Sequence, residues 1–320
     1  MIDIPDALIA TQSKYNGAAG RAFLAALPGM AAEFLERWGL RRDGEALYGV
    51  CALVLPVVRV ADGRPAALKL QAVDAETAGE PLALRVWGEA SAGAASAGAA
   101  STGAASACAV ELLDHDPATG TMLLERLDGR RSLSGTADVR EAVRIIAELL
   151  AGLTAVPAPA GSGLRGLGEV SARALAAAPG AVGLLADEEE RRLLADCAAA
   201  VREVAGEPGD RLLHWDLHFG NVLAGRGGPA GQGARWVAID PKPLAGDPGF
   251  ELFPALVNRF DAEAVGWRFD LMTEVLGLDR ARARAWTLGR VLQNACWGAE
   301  DGARRLEPEQ AEIARRLLGR

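Results

Sequence analysis

Residues 214–221 read HWDLHFGN and hold two of the chain's three histidines, an aspartate and an asparagine. His214 and His218 have the i, i+4 spacing that, on a helix, would offer two imidazoles to a zinc ion. In such sites an acid directly follows the first histidine, whereas here the acid is Asp216, and no further histidine follows. Gly220 lies inside the stretch, with the apolar pairs Leu212-Leu213 and Val222-Leu223 on either side. That pattern predicts a loop between two strands rather than a zinc-binding helix.

Phosphoryl transfer makes better use of these residues. It needs a carboxylate to orient the attacking hydroxyl and accept its proton. It also needs oxygen ligands for a phosphate-bridging magnesium, and a lysine on the nucleotide phosphates. Asp216 and Asn221 have the Asp-to-Asn spacing of a kinase catalytic loop. "RWVAIDPKP" then places Asp240 at the end of an apolar run, suited to a second metal ligand. Upstream, "AALKL" puts Lys69 in an apolar strand, and Glu80 follows on the next predicted helix, placed to pair with it. Each match alone is common; the order Lys, Glu, Asp, Asn, Asp is more specific. No G-x-x-x-x-G-K-[ST] is present, so the chain is not a P-loop enzyme.

The elements that must position these residues can be read coarsely. Apolar spacing predicts a helix over 19–39, with Pro28 dividing or kinking it. Residues 46–73 read as a hairpin around Asp62-Gly63. A helix is expected over 75–88, and a second hairpin from 109–116 and 120–129. Between them, SAGAA at 91–95 and 96–100 and STGAA at 101–105 form a low-complexity repeat with no large side chain. It is expected as a flexible surface loop over 88–107. From about 137 the pattern is mainly helical, with a β-like interruption at 211–239.

Bulk properties narrow the class further. The 320 residues exceed what one core usually needs, so two lobes are expected. No run of apolar residues could span a bilayer, and the N-terminus lacks the apolar core of a signal peptide. A cytoplasmic monomer is therefore expected. The net charge of −8 disfavours nucleic acid and suits a cationic small molecule. Cys51, Cys108, Cys197 and Cys296 are too scattered for a cysteine zinc site or a disulfide framework. Only Lys14, Lys69 and Lys242 are lysines among 34 basic residues. Where arginine is the default, a lysine in an apolar strand calls for a reason.

At this point the sequence resembles the aminoglycoside phosphotransferases, specifically the group of streptomycin 6-phosphotransferases and hydroxyurea phosphotransferases. The resemblance runs through "AALKLQ", "LLDHD", "TMLLERLDG", "GLRGLGE", "GEPGDRLLHWDLHFGNVLA", "AIDPKPLAGDPGFELFPAL", "WRFDLMTE" and "AWTLGRVLQNACW". It covers most of the chain outside the repeat.

The resemblance implies an α+β, bilobal, protein-kinase-like fold. A small N-terminal antiparallel-sheet lobe, residues 1–128, would bind nucleotide. A larger, mainly helical lobe, 129–320, would carry catalysis and substrate binding. The implied cofactors are ATP and Mg2+. Asp216 resembles the catalytic base, Asn221 and Asp240 the magnesium ligands, and Lys69 with Glu80 the phosphate-binding pair. Glu125 and Leu127 lie where hinge backbone would meet adenine. The implied reaction is phosphorylation of streptomycin at its 6-hydroxyl, with hydroxyurea or another small hydroxyl compound as an alternative acceptor. A nucleotide-binding protein without turnover is the alternative outside the enzymes. The two guanidinium groups of streptomycin would need carboxylates. Glu300 and Asp301 are the preferred candidates, with Asp247 and Glu251 behind them; Asp247 could equally be a helix cap.

Overall fold

The computed structural model describes residues 2, 4–49, 51–96, 108–226 and 235–320. The chain divides into two compact units: Met1–Arg131 with Leu223–Val237, and Ser132–Val222 with Ala238–Arg320. The first unit thus takes in a segment from well beyond the expected cut between 128 and 129.

In the first unit, α1 (Asp6–Arg37) buries Phe23, Leu27, Ala31 and Phe34 at helical spacing. It begins well before the expected start. Its break falls at Gly17, with φ 51°, and not at Pro28, which stays inside the helix. Glycine alone enters that backbone region without a Cβ clash. The strands are β1 (Leu40–Arg42), β2 (Leu47–Tyr48), β3 (Ala52–Arg59) and β4 (Pro65–Gln71). The Asp62-Gly63 turn closes β3 onto β4, with Gly63 at φ 69° and Asp62 Oδ1 accepting from Arg64 N at 3.0 Å.

The next helix, α2, spans Glu80–Ser96 and differs from expectation at both ends. Residues 75–79 are a turn, because Asp74 Oδ1 accepts from the amides of Glu76 and Thr77 at 2.8 and 2.9 Å. At the far end the alanines of the repeat carry the helix through Ser96, against their glycines. The rest of the repeat, 97–107, lies outside the described residues. Strands β5 (Leu112–Asp116), β6 (Thr121–Glu125) and β7 (Leu127–Ser132) follow. The main sheet has the order β1-β3-β4-β6-β5, with β2 paired to β3. One face packs on α1 through Leu53, Leu55, Val57, Leu68 and Leu70. Strand β4 is central, so Lys69 lies between Val54 and Met122.

The second unit continues with α3 (Val139–Thr154), β8 (Arg165–Gly166), α4 (Leu167–Leu184), α5 (Glu188–Val204) and β9 (Arg211–Leu213). The chain then forms β10 (Val222–Gly225) and β11 (Trp236–Ala238), which join β7 in the order β11-β10-β7. Next come β12 (Leu244–Gly246), α6 (Phe253–Val257), α7 (Val265–Leu276), α8 (Arg280–Glu300) and α9 (Pro308–Leu318). A short sheet, β8-β12-β9, pairs β12 parallel with β8 and antiparallel with β9. Helix α8 is the core element, with Trp286, Leu288 and Leu292 fully buried. Among the described residues no helix is long and apolar enough to cross a membrane. The four cysteines are free.

Candidate active site

On β4, alternate residues share a face. Lys69 and Gln71 therefore both reach Glu80 at the start of α2. Lys69 Nζ lies 2.7 and 2.8 Å from the two Glu80 oxygens, and Gln71 Nε2 donates to Oε2 at 2.7 Å. Lys69 is 4% and Glu80 1% exposed. Buried charges are tolerated only when paired and hydrogen-bonded, and here they are. Gln71 escaped the sequence reading, although its period-2 spacing from Lys69 could have flagged it.

Glu125 ends β6. Its carboxylate meets Arg235 Nη2 at 2.6 Å and accepts from Glu111 N at 3.2 Å, while its own amide donates to Glu111 O at 2.9 Å. Leu127 begins β7 and is buried.

In the second unit the 214–221 stretch is a loop between β9 and β10, closed by a single 3-10 turn at Phe219–Asn221. His214 is completely buried. Its Nδ1 accepts from Asp216 N at 3.3 Å, so Nε2 carries the hydrogen and donates to Ile239 O at 3.0 Å. Burial brings this imidazole down to about 4, which keeps it neutral. His218 also holds backbone: its Nδ1 accepts from Gly220 N at 3.0 Å, capping the 3-10 turn. Burial lowers its pKa too. Both rings thus spend a nitrogen on the loop itself, and the spacing that suggested zinc is a spacing of loop supports.

Trp215 has φ 66°, a left-handed conformation rare for a bulky residue. Glu251 holds it there: Trp215 N lies 2.9 and 3.0 Å from the two Glu251 oxygens. The Glu251 carboxyl is fully buried, and desolvation pushes it up to about 7 against the pull of the Trp215 and His214 amides and of Arg290. The indole packs against the guanidinium groups of Arg165 at 4.3 Å and Arg290 at 4.9 Å.

This scaffold presents Asp216, whose side chain is 27% exposed. Asn221 Nδ2 donates to Asp216 O at 2.9 Å, and Asn221 O accepts from Ile239 N at 2.9 Å. The second bond places Asp240 one residue beyond a backbone link to Asn221. Asp240 itself sits at φ 60°. With its Nδ2 used on the loop, the Asn221 amide is oriented so that Oδ1 is the atom left for a ligand. A carboxamide and a carboxylate oxygen are hard donors that fit magnesium. Among the described residues, no group of three or more His, Cys, Asp or Glu could hold a metal. Lys242 Nζ lies 3.2 Å from Asp216 Oδ2.

The expected substrate acids have different surroundings. Asp247 caps the turn at 248–251 through Gly249 N at 2.8 Å and pairs with Arg282 at 2.6 Å. Glu251 is the clamp on Trp215. Asp301 ends α8 and is exposed. Glu300 lines a cavity of about 260 Å³ together with Arg165, Arg173, Gln293 and Trp297.

Residues 37–302 match the family described as aminoglycoside/hydroxyurea antibiotic resistance kinase. The chain belongs to that family. It is 60% identical to a hydroxyurea phosphotransferase of Kitasatospora aureofaciens, over all of this chain and 87% of that protein. It is 48% identical to a streptomycin 6-kinase of Streptomyces glaucescens, over all of this chain and 98% of that one. A streptomycin 6-kinase of Streptomyces griseus is 47% identical, with 99% and 97% covered. As a member of this family the chain is a kinase-type phosphotransferase of a resistance family. Its fold is the kinase-like α+β fold. Wild-type aminoglycoside 2'-phosphotransferase-IIIa in its GDP complex aligns with a TM-score of 0.56 at 12% identity, covering 91% of this chain and 96% of that one. A Plasmodium vivax ethanolamine kinase aligns with a TM-score of 0.51 at 11% identity, covering 88% and 82%.

Proposed function

We propose that the chain transfers the γ-phosphate of ATP to a hydroxyl of a small antibiotic-like acceptor, with Asp216 as the base. The observation that carries this reading is a part-exposed carboxylate on a loop whose backbone is fixed from three sides, by His214, Asn221 and Glu251. Such a carboxylate orients a hydroxyl and takes its proton as the oxygen attacks. Lys69, fixed by Glu80, holds phosphate oxygens. Asn221 and Asp240 would hold magnesium, which when bound would neutralise charge on the phosphates.

The leading acceptor is hydroxyurea. The cavity lined by Arg165 and Trp297, which both lie against the Trp215 ring, offers the guanidinium groups of Arg165 and Arg173 against the single carboxylate of Glu300, a lining better suited to a neutral molecule than to a dication. The relative at 60% identity carries the matching name. Phosphorylation of streptomycin at the 6-hydroxyl is the second reading, favoured by the two relatives at 48% and 47%.

The deciding experiment gives purified protein ATP, magnesium and one acceptor at a time, and follows nucleoside diphosphate release and the mass of the acceptor. Hydroxyurea is expected to gain a phosphoryl group, and Asp216→Ala to slow that gain about a hundred- to ten-thousandfold. Transfer to streptomycin alone would give the second reading the place of the first. Equal turnover by Asp216→Ala would end both.

A further inference from the structure

Lys242 was left without a role in the sequence, yet its ammonium meets the carboxylate of Asp216 at 3.2 Å. Lysine and aspartate side chains are 36% and 27% exposed, and a surface pair of that kind usually contributes little. Three features set this one apart. Lys242 is flanked by Pro241 and Pro243, whose rings narrow the backbone on both sides. Its amide donates to His214 O at 3.0 Å, and His214 in turn holds the amide of Asp216. The two ends of the ion pair are thus anchored to one another through the carbonyl and the ring of His214. Finally, lysine occurs only three times among 34 basic residues, and one of the others is Lys69. Arginine would bind a carboxylate through two oxygens; a lysine is a compact charge that engages one and leaves the other.

We infer that Lys242 is a positioning residue for phosphoryl transfer: it occupies Oδ2 of Asp216 and so directs Oδ1 to the acceptor hydroxyl. The inference rests on the reading of Asp216 as base. In the step it serves, the acceptor's O–H proton passes to Oδ1 as the bond from the acceptor oxygen to the γ-phosphorus forms. The bond from that phosphorus to the β–γ bridging oxygen breaks, and its electron pair leaves with the nucleoside diphosphate. Lys242 forms no covalent bond and exchanges no proton. Without it the two carboxylate oxygens are free to interchange, and the productive orientation becomes one of several.

The test measures kcat and both KM values for Lys242→Met and Lys242→Arg, and for Lys242→Met in an Asp216→Ala background. Lys242→Met is expected to lower kcat about ten- to hundredfold, part of the usual worth of a placed base. The KM for nucleotide should stay within about threefold, because the lysine acts on Asp216 and not on nucleotide binding. Lys242→Arg keeps the charge and should recover part of the loss. In the Asp216→Ala background the residual rate should not fall further, since the two residues act as one unit. A normal kcat with a raised nucleotide KM would overturn the inference, as would an equal loss in both backgrounds. If Asp216→Ala loses most of its rate while Lys242→Met turns over normally, the inference fails alone. If Asp216→Ala turns over normally, the assignment of Asp216 fails and takes the inference with it.

Discussion

The carboxamide of Asn221 donates to the backbone carbonyl of Asp216 at 2.9 Å, while the Asn221 carbonyl accepts from Ile239 at 2.9 Å. One residue therefore ties the loop that carries Asp216 to the strand that delivers Asp240.

Replacing Asn221 by alanine keeps the main-chain bond to Ile239 but removes the side-chain bond to Asp216 and an oxygen donor. The magnesium concentration for half-maximal turnover should rise about ten- to hundredfold, in line with losses seen when metal-site supports are removed. Magnesium titration of activity checks this, and an unchanged midpoint removes Asn221 from the metal site. Asn221→Asp keeps an oxygen but loses the donor, and should fall between the two.

The buried Lys69–Glu80 pair is expected to contribute to stability as well as to the proposed site. Lys69→Met takes the ammonium from a buried acid to which Gln71 still donates. The expected cost is about 3–5 kcal/mol in denaturant unfolding. The double variant Lys69→Met, Glu80→Leu should recover most of it. A cost below about 1 kcal/mol for the single change would mean that the site relaxes or admits water.

Glu251 makes unfolding pH-dependent in an unusual direction. Its folded pKa is raised from 4.5 to about 7, so between those values the folded chain binds the extra proton. Stability from this group is therefore full below pH 4.5, declines as pH rises towards 7, and levels off above it. The slope is at most about 1.4 kcal/mol per pH unit. Glu251→Gln should flatten that part of the profile, measured by denaturant midpoints at several pH values. An identical profile would show that Glu251 titrates normally.

Gly220 and His218 should couple. A Cβ on Gly220 would sit 2.8 Å from the His218 ring. Gly220→Ala is expected to disturb the loop, and His218→Ala to cost about 1 kcal/mol through the lost cap. Because both act on the same few atoms, the double variant should cost less than the sum. Additive losses in chemical unfolding would separate them.

Much of this was legible in the sequence wherever the signal is local. The Asp62-Gly63 hairpin, the loop character of 214–221 and the pairing of Lys69 with Glu80 follow from turn residues and spacing within a few positions. The helix α2 was misjudged because small residues look like a loop by composition, while their alanines favour helix once a turn precedes them. The contact of Glu251 with Trp215 was not legible, because nothing near Glu251 in sequence points to Trp215 and contacts of that separation leave no periodic trace. His218 lacked a role because its cap depends on the actual backbone path of Phe219 and Gly220. Asp247 showed its cap signature but not its partner Arg282, which lies on a distant helix.

Glu251 holds Trp215 from 36 positions further along the chain. During synthesis the ribosome releases the 214–221 segment well before the carboxylate that sets its left-handed turn. Until residue 251 has emerged and folded back, Trp215 has no template for that conformation. The 214–221 loop is thus completed late, and a nascent chain interrupted between the two would carry Asp216 without the backbone geometry it has in the folded chain.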